Sequence, residues 1–358
     1  MTPAPLLDSV LGVRVLITGG GGFLGRHVVE QILKGGAASV AIINRTPKRF
    51  SLDGDFEKIV TYHAADVADR LAVGAIFAQV KPHAIIHTAS PVSTSNAETL
   101  YKANVEGTRI LLECSKKCSD TRAFIYTSSD SAMVPTQQPL SEENAVLYTT
   151  ERFNNPYGLS KALADRMVQA ENCKDLGTAV LRIPTLYGEH DTNFIPQLVA
   201  SIRKNEHKMQ IGQNQKVFEF LYVKKAAEAH VLALRALLDP ASTSSVAGQA
   251  FFVSDGRPEP FFDFTRRCYA AMGYPVGQDD IRVIPLAVIQ AAASTGEWAY
   301  WALTLGTKQP LLRRKGIDHL DAGACWSIEK AKQILGYDPV VDQKKAIRDT
   351  MEWASTLL

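Results

Sequence analysis

Excess charge and internal repeats are both missing from this sequence. Lysine and arginine number 39 against 37 acidic residues, and a net charge of +2 argues against nucleic acid or an anionic surface as the main partner. The first ten residues, MTPAPLLDSV, have neither a basic flank nor an apolar core, so we expect no signal peptide. With 46% hydrophobic and 21% charged residues, the composition is that of an ordinary globular protein.

Cysteine is scarce, and its spacing shows no paired pattern. The five cysteines are scattered along the chain, so we expect reduced thiols in a cytoplasmic protein. Cys114 and Cys118 lie one turn apart on a predicted helix, but no second ligand pair accompanies them. We therefore predict no metal site.

Long apolar runs are also lacking. The best candidate, residues 284–306, is broken by Gly296 and Glu297 and never reaches the length of about eighteen apolar residues that a membrane span needs. Its aromatic cluster, Trp298, Tyr300 and Trp301, leaves two interpretations. It could touch a bilayer interface, or it could lie on a helix packed over a hydrophobic substrate pocket, which we favour.

What the sequence does contain is a glycine-rich turn between a strand and a helix, at residues 13–25, VRVLITGGGGFLG. Glycines let a backbone approach a diphosphate closely, and the start of a helix offers free N–H groups and the positive end of its dipole. The spacing differs by one residue from the GxGxxG dinucleotide fingerprint. The residues predicted here to hold a dinucleotide are Gly19, Gly22, Phe23, Leu24 and Gly25.

Strands and helices then alternate along the first half of the chain. This alternation predicts an α/β fold with a doubly wound parallel sheet, the Rossmann architecture, in which ligands bind at the carboxyl ends of the strands. Further cofactor-binding candidates at or near such ends are Asn44, Arg45, Asp66, Val67, Thr88, Ala89, Ser90 and Pro184. His87 also ends a predicted strand, but a histidine in that position is more often structural than catalytic.

The end of the second predicted strand bears on the choice between NAD and NADP. Asn44 stands where an acid would accept a hydrogen bond from the ribose 2′-OH of NAD. Arg45, with Lys48 or Arg49 behind it, could instead pair with the 2′-phosphate of NADP. We therefore predict NADP as the cofactor, with NAD as the alternative.

Tyr157 and Lys161 lie four residues apart and so share one face of a predicted helix. Alone, such a pair is usually a surface feature, but here it follows a nucleotide loop and a strand that ends in Ser128 and Ser129. A lysine ammonium one turn away, together with an oxidised nicotinamide, favours the phenolate, so we expect the pKa of Tyr157 to be lowered. Lys161 could also hold the ribose hydroxyls of the nicotinamide half.

The regular alternation ends near residue 188. We predict a dinucleotide-binding core over residues 1–188, with sheet elements near 217–254, and a smaller interleaved substrate-binding lid with closing helices over 189–358. Aromatic residues of this second part favour a bulky apolar substrate, although ordinary core packing is the alternative for each of them. They are Phe218, Phe220, Phe261, Phe262, Trp298 and Trp301.

Together the motifs resemble the short-chain dehydrogenase/reductase family in its extended branch. This resemblance covers nearly the whole chain, through TGGGGFLG, IIHTAS, NVEGT, YTSS, YGLSK, LRIPTLYGE and FLYVKKAAEAHVLAL. Within the family, the sequence is most similar to 3β-hydroxysteroid dehydrogenases and decarboxylating sterol-4α-carboxylate 3-dehydrogenases. IIHTASPV, FIYTSSDSA, GQAFFVSDGRPEPFFDF and IEKAKQILGYDPVVDQKKAI carry this narrower similarity.

The resemblance implies a role for each of four residues. Tyr157 would be the general base or acid, Lys161 its partner, and Ser129 the donor to the substrate oxygen, while Asn104 would support the lysine through water. The implied reaction interconverts a secondary alcohol and a ketone on a 3β-hydroxy steroid, a sterol or a terpenoid, with decarboxylation of a 4-carboxylate where one is present. Lys225 departs from the acidic or neutral residue common in the family at its position.

Other functions stay open at this point. A nucleotide-sugar epimerase or dehydratase would need polar and basic residues in the lid to hold a diphosphate, and Arg203, Lys204, Lys208 and Lys216 could serve. A reductase of flavonoid-like or polyketide-like ketones and a non-catalytic dinucleotide sensor are further alternatives. The family also implies a homodimer through the helices around Ala97 and Tyr157, and a cytoplasmic enzyme that could touch the endoplasmic reticulum membrane peripherally.

Overall fold

Seven buried segments form a parallel sheet at the centre of the molecule. The computed structural model describes residues 10–47, 49–52, 54–153, 155–292, 294–295 and 320–358. With strands numbered in chain order, the sheet contains β1 (Arg14–Thr18), β2 (Ser39–Asn44), β3 (Val60–Ala64), β4 (Ala84–His87), β5 (Ala123–Ser129), β6 (Gly177–Ile183) and β11 (Gln249–Phe252). Their order is β11-β6-β5-β4-β1-β2-β3, and every pair is parallel.

The strand order reverses beside β1. From β1 the chain proceeds outward to β2 and β3, then returns to place β4 on the other side of β1, where Thr18 is paired with His87. Such a switch point leaves a crevice at the carboxyl ends of β1 and β4, where open α/β sheets bind ligands. The predicted doubly wound parallel sheet is therefore confirmed.

Helices cover both faces of this sheet. They are α1 (Phe23–Lys34), α2 (Arg70–Val80), α3 (Ala97–Tyr101), α4 (Gly107–Lys117), α5 (Pro156–Ala170), α6 (Phe194–Arg203), α7 (Val223–Leu238), α8 (Thr243–Val246), α9 (Phe261–Ala271) and α10 (Gln343–Ser355). Along β1, Val15 and Ile17 join one apolar cluster with α1 and α7, whereas Leu16 joins another with α2, α4 and α5. The strands are apolar on both faces because neither face meets water.

One predicted helix is not continuous. The sequence predicts a single helix over residues 97–118, but the structure has α3 and α4 separated by a π-helical turn, Lys102–Glu106. Such turns occur often at functional sites because they shift side chains out of the regular helical register. Asn104 lies in the middle of this turn.

Smaller strand pairs follow the main sheet. Parallel pairs form between β7 (Thr185–Tyr187) and β10 (Phe220–Tyr222), and between β8 (Met209–Ile211) and β13 (Arg282–Ile284). An antiparallel pair joins β9 (Val217–Phe218) to β12 (Glu259–Pro260). None of the helices in the described part of the chain is long and apolar enough to cross a bilayer.

Aromatic rings of the second half pack mainly against one another. Phe220 stacks on Phe264 with ring centroids 3.7 Å apart, and Phe218 and Phe261 meet edge to face. Phe218 and Phe220 are buried in the core, which fits the alternative of ordinary core packing for these two residues. Trp298 and Trp301 lie outside the described residues, as does most of the 284–306 segment.

A buried ion pair ties α5 to β6. Arg182 donates to both carboxylate oxygens of Asp165, each over 3.0 Å, and both side chains are almost fully buried. Gln169 donates to the same carboxylate. This pair holds the catalytic-candidate helix α5 against the sheet, because neither charge has water as an alternative partner.

The Asp165→Asn substitution tests this pair. It leaves the buried Arg182 charge without its counter-ion, so we expect the free energy of unfolding to fall by about 3–5 kcal/mol. The measurement is urea unfolding followed by circular dichroism. Asp120→Asn is the control, because it removes a pair with Arg14 that is about one third exposed and should cost at most about 1 kcal/mol. Equal losses in the two variants would contradict the assigned importance of the buried pair.

Candidate active site

A cleft of about 420 Å³ opens at the switch point of the sheet. Twelve of the fourteen residues predicted to hold a cofactor line this switch-point cleft: Gly19, Gly22, Phe23, Leu24, Gly25, Asn44, Arg45, Asp66, Val67, Thr88, Ala89 and Ser90. Pro184 lies buried between β6 and β7, and neither it nor Lys161 is among the lining residues. The structure thus brings residues from four strand ends into one concave surface.

At two positions of the glycine-rich turn only glycine fits, because a Cβ atom would collide with neighbouring backbone. Gly19 has a φ of +74°, and a Cβ on it would lie 2.8 Å from the Cα of Ala89. A Cβ on Gly25 would lie 2.1 Å from the carbonyl oxygen of Gly19. Because the turn and the start of α1 pack this tightly, N–H groups at the helix start can meet a diphosphate at close range. The turn therefore fits the diphosphate of a dinucleotide.

The Asn44 side chain is hydrogen-bonded to the glycine-rich turn. Its Oδ1 accepts a hydrogen bond from the backbone N–H of Gly21 over 2.9 Å, and the side chain also lines the switch-point cleft. Because Asn44 is uncharged and β2 contains no acidic residue, no carboxylate of this strand pairs with the neighbouring Arg45. Lys48, which follows Arg45 by three residues, lies outside the described residues.

Several lining residues were not predicted from the sequence. They are Ile43, Ala65, Pro91, Thr99, Lys102, Ala103 and Thr192. Lys102 pairs with Asp66 over 3.2 Å, and hydrogen bonds from the Ala68 N–H and from Lys102 hold the pKa of Asp66 below its usual value against the opposing effect of burial. For Lys102 and Ala103, the sequence signal was their position next to Asn104, because the same π-helical turn carries all three residues.

Tyr157, Ser129 and Ser90 bring three hydroxyl groups together beside the switch-point cleft. Burial raises the pKa of Tyr157 to about 12 and the charge of Asp130 adds to this, whereas hydrogen bonding with Ser129 and Ser90 opposes it. The lowering expected with Lys161 and an oxidised nicotinamide stays a prediction, because this value describes the chain by itself. Ser128 points away from this group, since successive side chains of a strand alternate, and its buried hydroxyl has no partner among the described residues.

Lys161 is almost fully buried beneath this group. Its Nζ donates to the carbonyl oxygen of Thr127 over 2.9 Å and lies 5.0 Å from the centre of the Tyr126 ring. Burial lowers the pKa of Lys161 to about 7, and the carboxylate of Asp165 limits this fall. In this position the ammonium is anchored to β5.

Asn104 reaches α5 from the π-helical turn. Its Nδ2 donates to the hydroxyl of Ser160 over 3.0 Å, and its buried Oδ1 accepts no hydrogen bond from the described residues. A buried acceptor without a protein partner usually binds an ordered water. This is compatible with the water-mediated support of Lys161 that the resemblance implies.

His87 is a structural residue, as its position at a strand end favoured. It is fully buried, its ring nitrogens contact the hydroxyls of Thr18 and Thr108 at 2.6 Å and 3.1 Å, and burial lowers its pKa to about 3. A buried ring whose two nitrogens both contact threonine hydroxyls has no free nitrogen to exchange a proton with a substrate.

Comparison with known families matches residues 16–284 to the 3-beta hydroxysteroid dehydrogenase/isomerase family. The chain belongs to this family. The predicted resemblance is thereby confirmed, as is the prediction of an oxidoreductase that acts on CH–OH groups.

Individual relatives within the 3β-hydroxysteroid dehydrogenase family carry sterol names. A decarboxylating sterol-4-alpha-carboxylate 3-dehydrogenase of Gibberella zeae is 57% identical over 281 residues, which cover 78% of this chain and 93% of the relative. The enzyme of the same name from Schizosaccharomyces pombe is 30% identical over 348 residues, covering 94% and 96% of the two chains.

Solved structures support the fold. An epimerase of Methanothermobacter thermautotrophicus has a TM-score of 0.77 at 17% identity, covering 99% of this chain and 97% of its own. A dTDP-glucose 4,6-dehydratase of Streptomyces venezuelae, solved with NAD bound, has a TM-score of 0.72 at 21% identity, covering 96% and 97%. At such low identities the likeness shows the shared architecture alone.

The Gly25→Ala substitution tests the role of the glycine-rich turn. Its methyl group would meet the Gly19 carbonyl, so we expect the turn to shift and NADPH binding to weaken by at least about tenfold. Fluorescence titration with NADPH is the measurement. Gly74→Ala in α2 is the control, because a Cβ there meets nothing within 4 Å and should leave binding unchanged. Unaltered binding in Gly25→Ala would contradict the assignment of the turn.

Proposed function

We propose that this chain is an NAD(P)-dependent dehydrogenase that interconverts a 3β-hydroxyl group and a ketone on a sterol, with loss of a neighbouring 4-carboxylate. The observation that carries the proposal is the meeting of the Tyr157 and Ser129 hydroxyls at the end of β5, beside the switch-point cleft. The names of the relatives from Gibberella zeae and Schizosaccharomyces pombe support the sterol class.

In the proposed mechanism, Tyr157 moves the hydroxyl proton and Ser129 supports the substrate oxygen. Bound in the switch-point cleft, the nicotinamide cofactor supplies or accepts the hydride. During oxidation the Tyr157 phenolate takes the proton of the alcohol, and during reduction the phenol returns it. A good donor to the alkoxide-like oxygen in the transition state is worth about 3 kcal/mol, which is the part we assign to Ser129.

The electrostatics of the chain decide which form of Tyr157 predominates. With a pKa raised to about 12 by burial, Tyr157 by itself is a proton donor at neutral pH. To act as a base it needs positive charge nearby, and Lys161, with a pKa of about 7, supplies that charge only while it is protonated. Lys161 therefore acts in the proposal by holding charge beneath the site.

The decarboxylation needs no further catalytic group. A substrate that carries a carboxylate at the carbon next to the new ketone is a β-keto acid. The C–C bond to the carboxylate breaks with release of CO₂, and the ketone oxygen accepts the electron pair as an enolate. Ser129 and Tyr157, which already contact that oxygen in the proposed complex, would stabilise this charge.

The epimerase and dehydratase alternative has weaker support. The solved structures that carry those activities share the fold at 17–21% identity, whereas the sterol dehydrogenases match at 30–57%. One basic residue that could hold a sugar diphosphate has a protein partner, since Lys208 pairs with Asp280. Arg203 bonds the carbonyl of Leu357.

Finer aspects of the assignment are also proposals. Residues after 188 would form the substrate lid, and contact with the endoplasmic reticulum membrane would involve the 284–306 segment. The family also implies a homodimer through the helices around Ala97 and Tyr157, which we include in the proposal. A cytoplasmic location is supported by the five cysteines, all of which are free thiols.

The first test is turnover by the purified protein. A panel of 3β-hydroxysteroids and sterol 4-carboxylic acids, each with NAD or NADP, is followed by the absorbance of the reduced nicotinamide and by release of CO₂. We expect hydride transfer with both substrate classes and CO₂ from the carboxylic acids alone. Failure of the whole panel, despite normal cofactor binding, would overturn the sterol assignment.

The Tyr157→Phe substitution tests the assigned proton carrier. Removing its hydroxyl deletes the proton carrier and leaves the cleft lining intact, so we expect kcat to fall by at least about 10³-fold while NADPH affinity changes less than about threefold. Tyr148→Phe is the matched control, because Tyr148 is another buried tyrosine with a raised pKa outside this hydroxyl group. Loss of NADPH binding in Tyr157→Phe with kcat preserved would reject the role.

The cofactor preference is tested at Asn44. Asn44→Asp keeps an oxygen acceptor for the Gly21 N–H and adds a negative charge where a 2′-phosphate would lie. We expect the ratio of kcat/KM for NADP over NAD to fall by at least about tenfold. Asn144→Asp adds the same charge at an exposed position and should leave the ratio unchanged. A ratio that also stays constant in Asn44→Asp would argue against NADP specificity at this strand end.

A further inference from the structure

The carboxyl group of Asp130, the residue after Ser129, contacts the Ser129 hydroxyl. In the proposed function this hydroxyl donates a hydrogen bond to the substrate oxygen. Asp130 begins a single 3-10 turn, Asp130–Ala132, at the end of β5. Its Oδ1 lies 3.3 Å from the Ser129 Oγ and 3.4 Å from the Ser131 Oγ. The Ser129 Oγ also accepts the backbone N–H of Ser131 over 3.2 Å. The Ser129 hydroxyl thus has three hydrogen-bonding neighbours, which are the Asp130 carboxyl, the Ser131 N–H and the Tyr157 hydroxyl.

The hydrogen-bond capacity of Ser129 makes the protonation state of Asp130 decisive. A serine hydroxyl carries one proton and two acceptor lone pairs. An ionised Asp130 can only accept, so the single proton of Ser129 points at the carboxylate and no donor is left for a substrate oxygen. A protonated Asp130 can donate to the Ser129 Oγ, which then accepts from Asp130 and from the Ser131 N–H and donates its proton outward.

We propose that Asp130 is a positioning residue whose proton sets the direction of the Ser129 hydroxyl. In its acid form Asp130 frees Ser129 to donate to the substrate oxygen, and in its ionised form it withdraws that donor. This inference rests on the proposed role of Ser129 as the donor to the substrate oxygen.

Three side chains from other elements face Asp130. Tyr157 faces it from α5, Glu219 from the junction of β9 and β10, and the Trp326 indole from the chain segment before the last helices. Burial raises the pKa of Asp130 to about 6, which its hydrogen bonds to Ser129 and Ser131 only partly oppose.

Glu219 is a buried acid beside Asp130. Burial raises the pKa of Glu219 to about 7, and the charges of Asp130 and Asp255 add to this rise. Its Oε1 also contacts the Cys325 thiol at 3.9 Å. Two neighbouring carboxyls resist ionising together, so Glu219, which ionises second, keeps its proton to higher pH than it would alone.

Reduction of cholestan-3-one by NADPH, from about pH 5 to about pH 9, tests the proposal, because Tyr157 stays protonated over that range. We expect wild-type kcat/KM to fall by at least about tenfold as Asp130 ionises and the donor is lost. In Asp130→Asn the side chain cannot titrate, so this fall should vanish. Any fall that persists in this variant belongs to another group, such as Lys161.

Two neighbouring substitutions should affect the pH of this fall differently. Ser131→Ala removes a hydrogen bond to the carboxylate, which raises the pKa of Asp130 and moves the fall to higher pH. We expect this shift to be at least about half a unit. Glu219→Gln should leave the fall where it is, because Glu219, with a pKa of about 7, still holds its proton while Asp130 ionises. Asp175→Asn, at an exposed position, is the matched control and should leave the profile unchanged.

A direct readout separates this role from a structural one. In protein labelled with ¹³C at the aspartate carboxyls, the resonance missing from Asp130→Asn identifies Asp130, and its titration needs neither substrate nor cofactor. We expect a midpoint near pH 6, against about 4 for an ordinary aspartate. A midpoint near 4, or a pH profile that is the same in wild type and Asp130→Asn, would overturn the inference while leaving the proposed function intact. Absence of wild-type turnover across the whole substrate panel would overturn both.

Discussion

The close packing of the glycine-rich turn against the end of β4 is the constraint on which the site depends. Gly19 lies at the switch point of the sheet, in a conformation with positive φ and with the backbone of Ala89 almost in contact. Because no side chain separates β1 from β4 here, the turn, the start of α1 and the end of β4 form one concave wall. The switch-point cleft follows from this wall.

Burial is the second constraint, and it shapes the chemistry beside the cleft. Burial lowers the pKa of Lys161 toward neutrality and raises the pKa of Tyr157 further above it. Both shifts disfavour the charged form, as desolvation requires. The ion pair between Asp165 and Arg182 fixes the helix that carries both residues, so rigidity and electrostatics come from the same element.

Much of the fold and part of the site could be predicted from local patterns. Strand ends, glycine spacing and the helical offset of Tyr157 and Lys161 are properties of short segments, and twelve predicted cofactor residues do line one cleft. The π-helical turn could not be predicted, because residues 97–118 keep helical periodicity across it. Lys102 was missed for the same reason, since that turn brings it to Asp66.

The sequence by itself determined the family, the doubly wound sheet and the identity of the residues at the strand ends. These depend on periodicity and motif spacing, which hold over short distances along the chain. Only the tertiary structure decided the electrostatic state of those residues, because a pKa depends on burial and on partners from distant segments. The raised pKa of Tyr157, the anchoring of Lys161 on β5 and the interaction of Asp130 with Glu219 and Trp326 all arise where separate elements pack together.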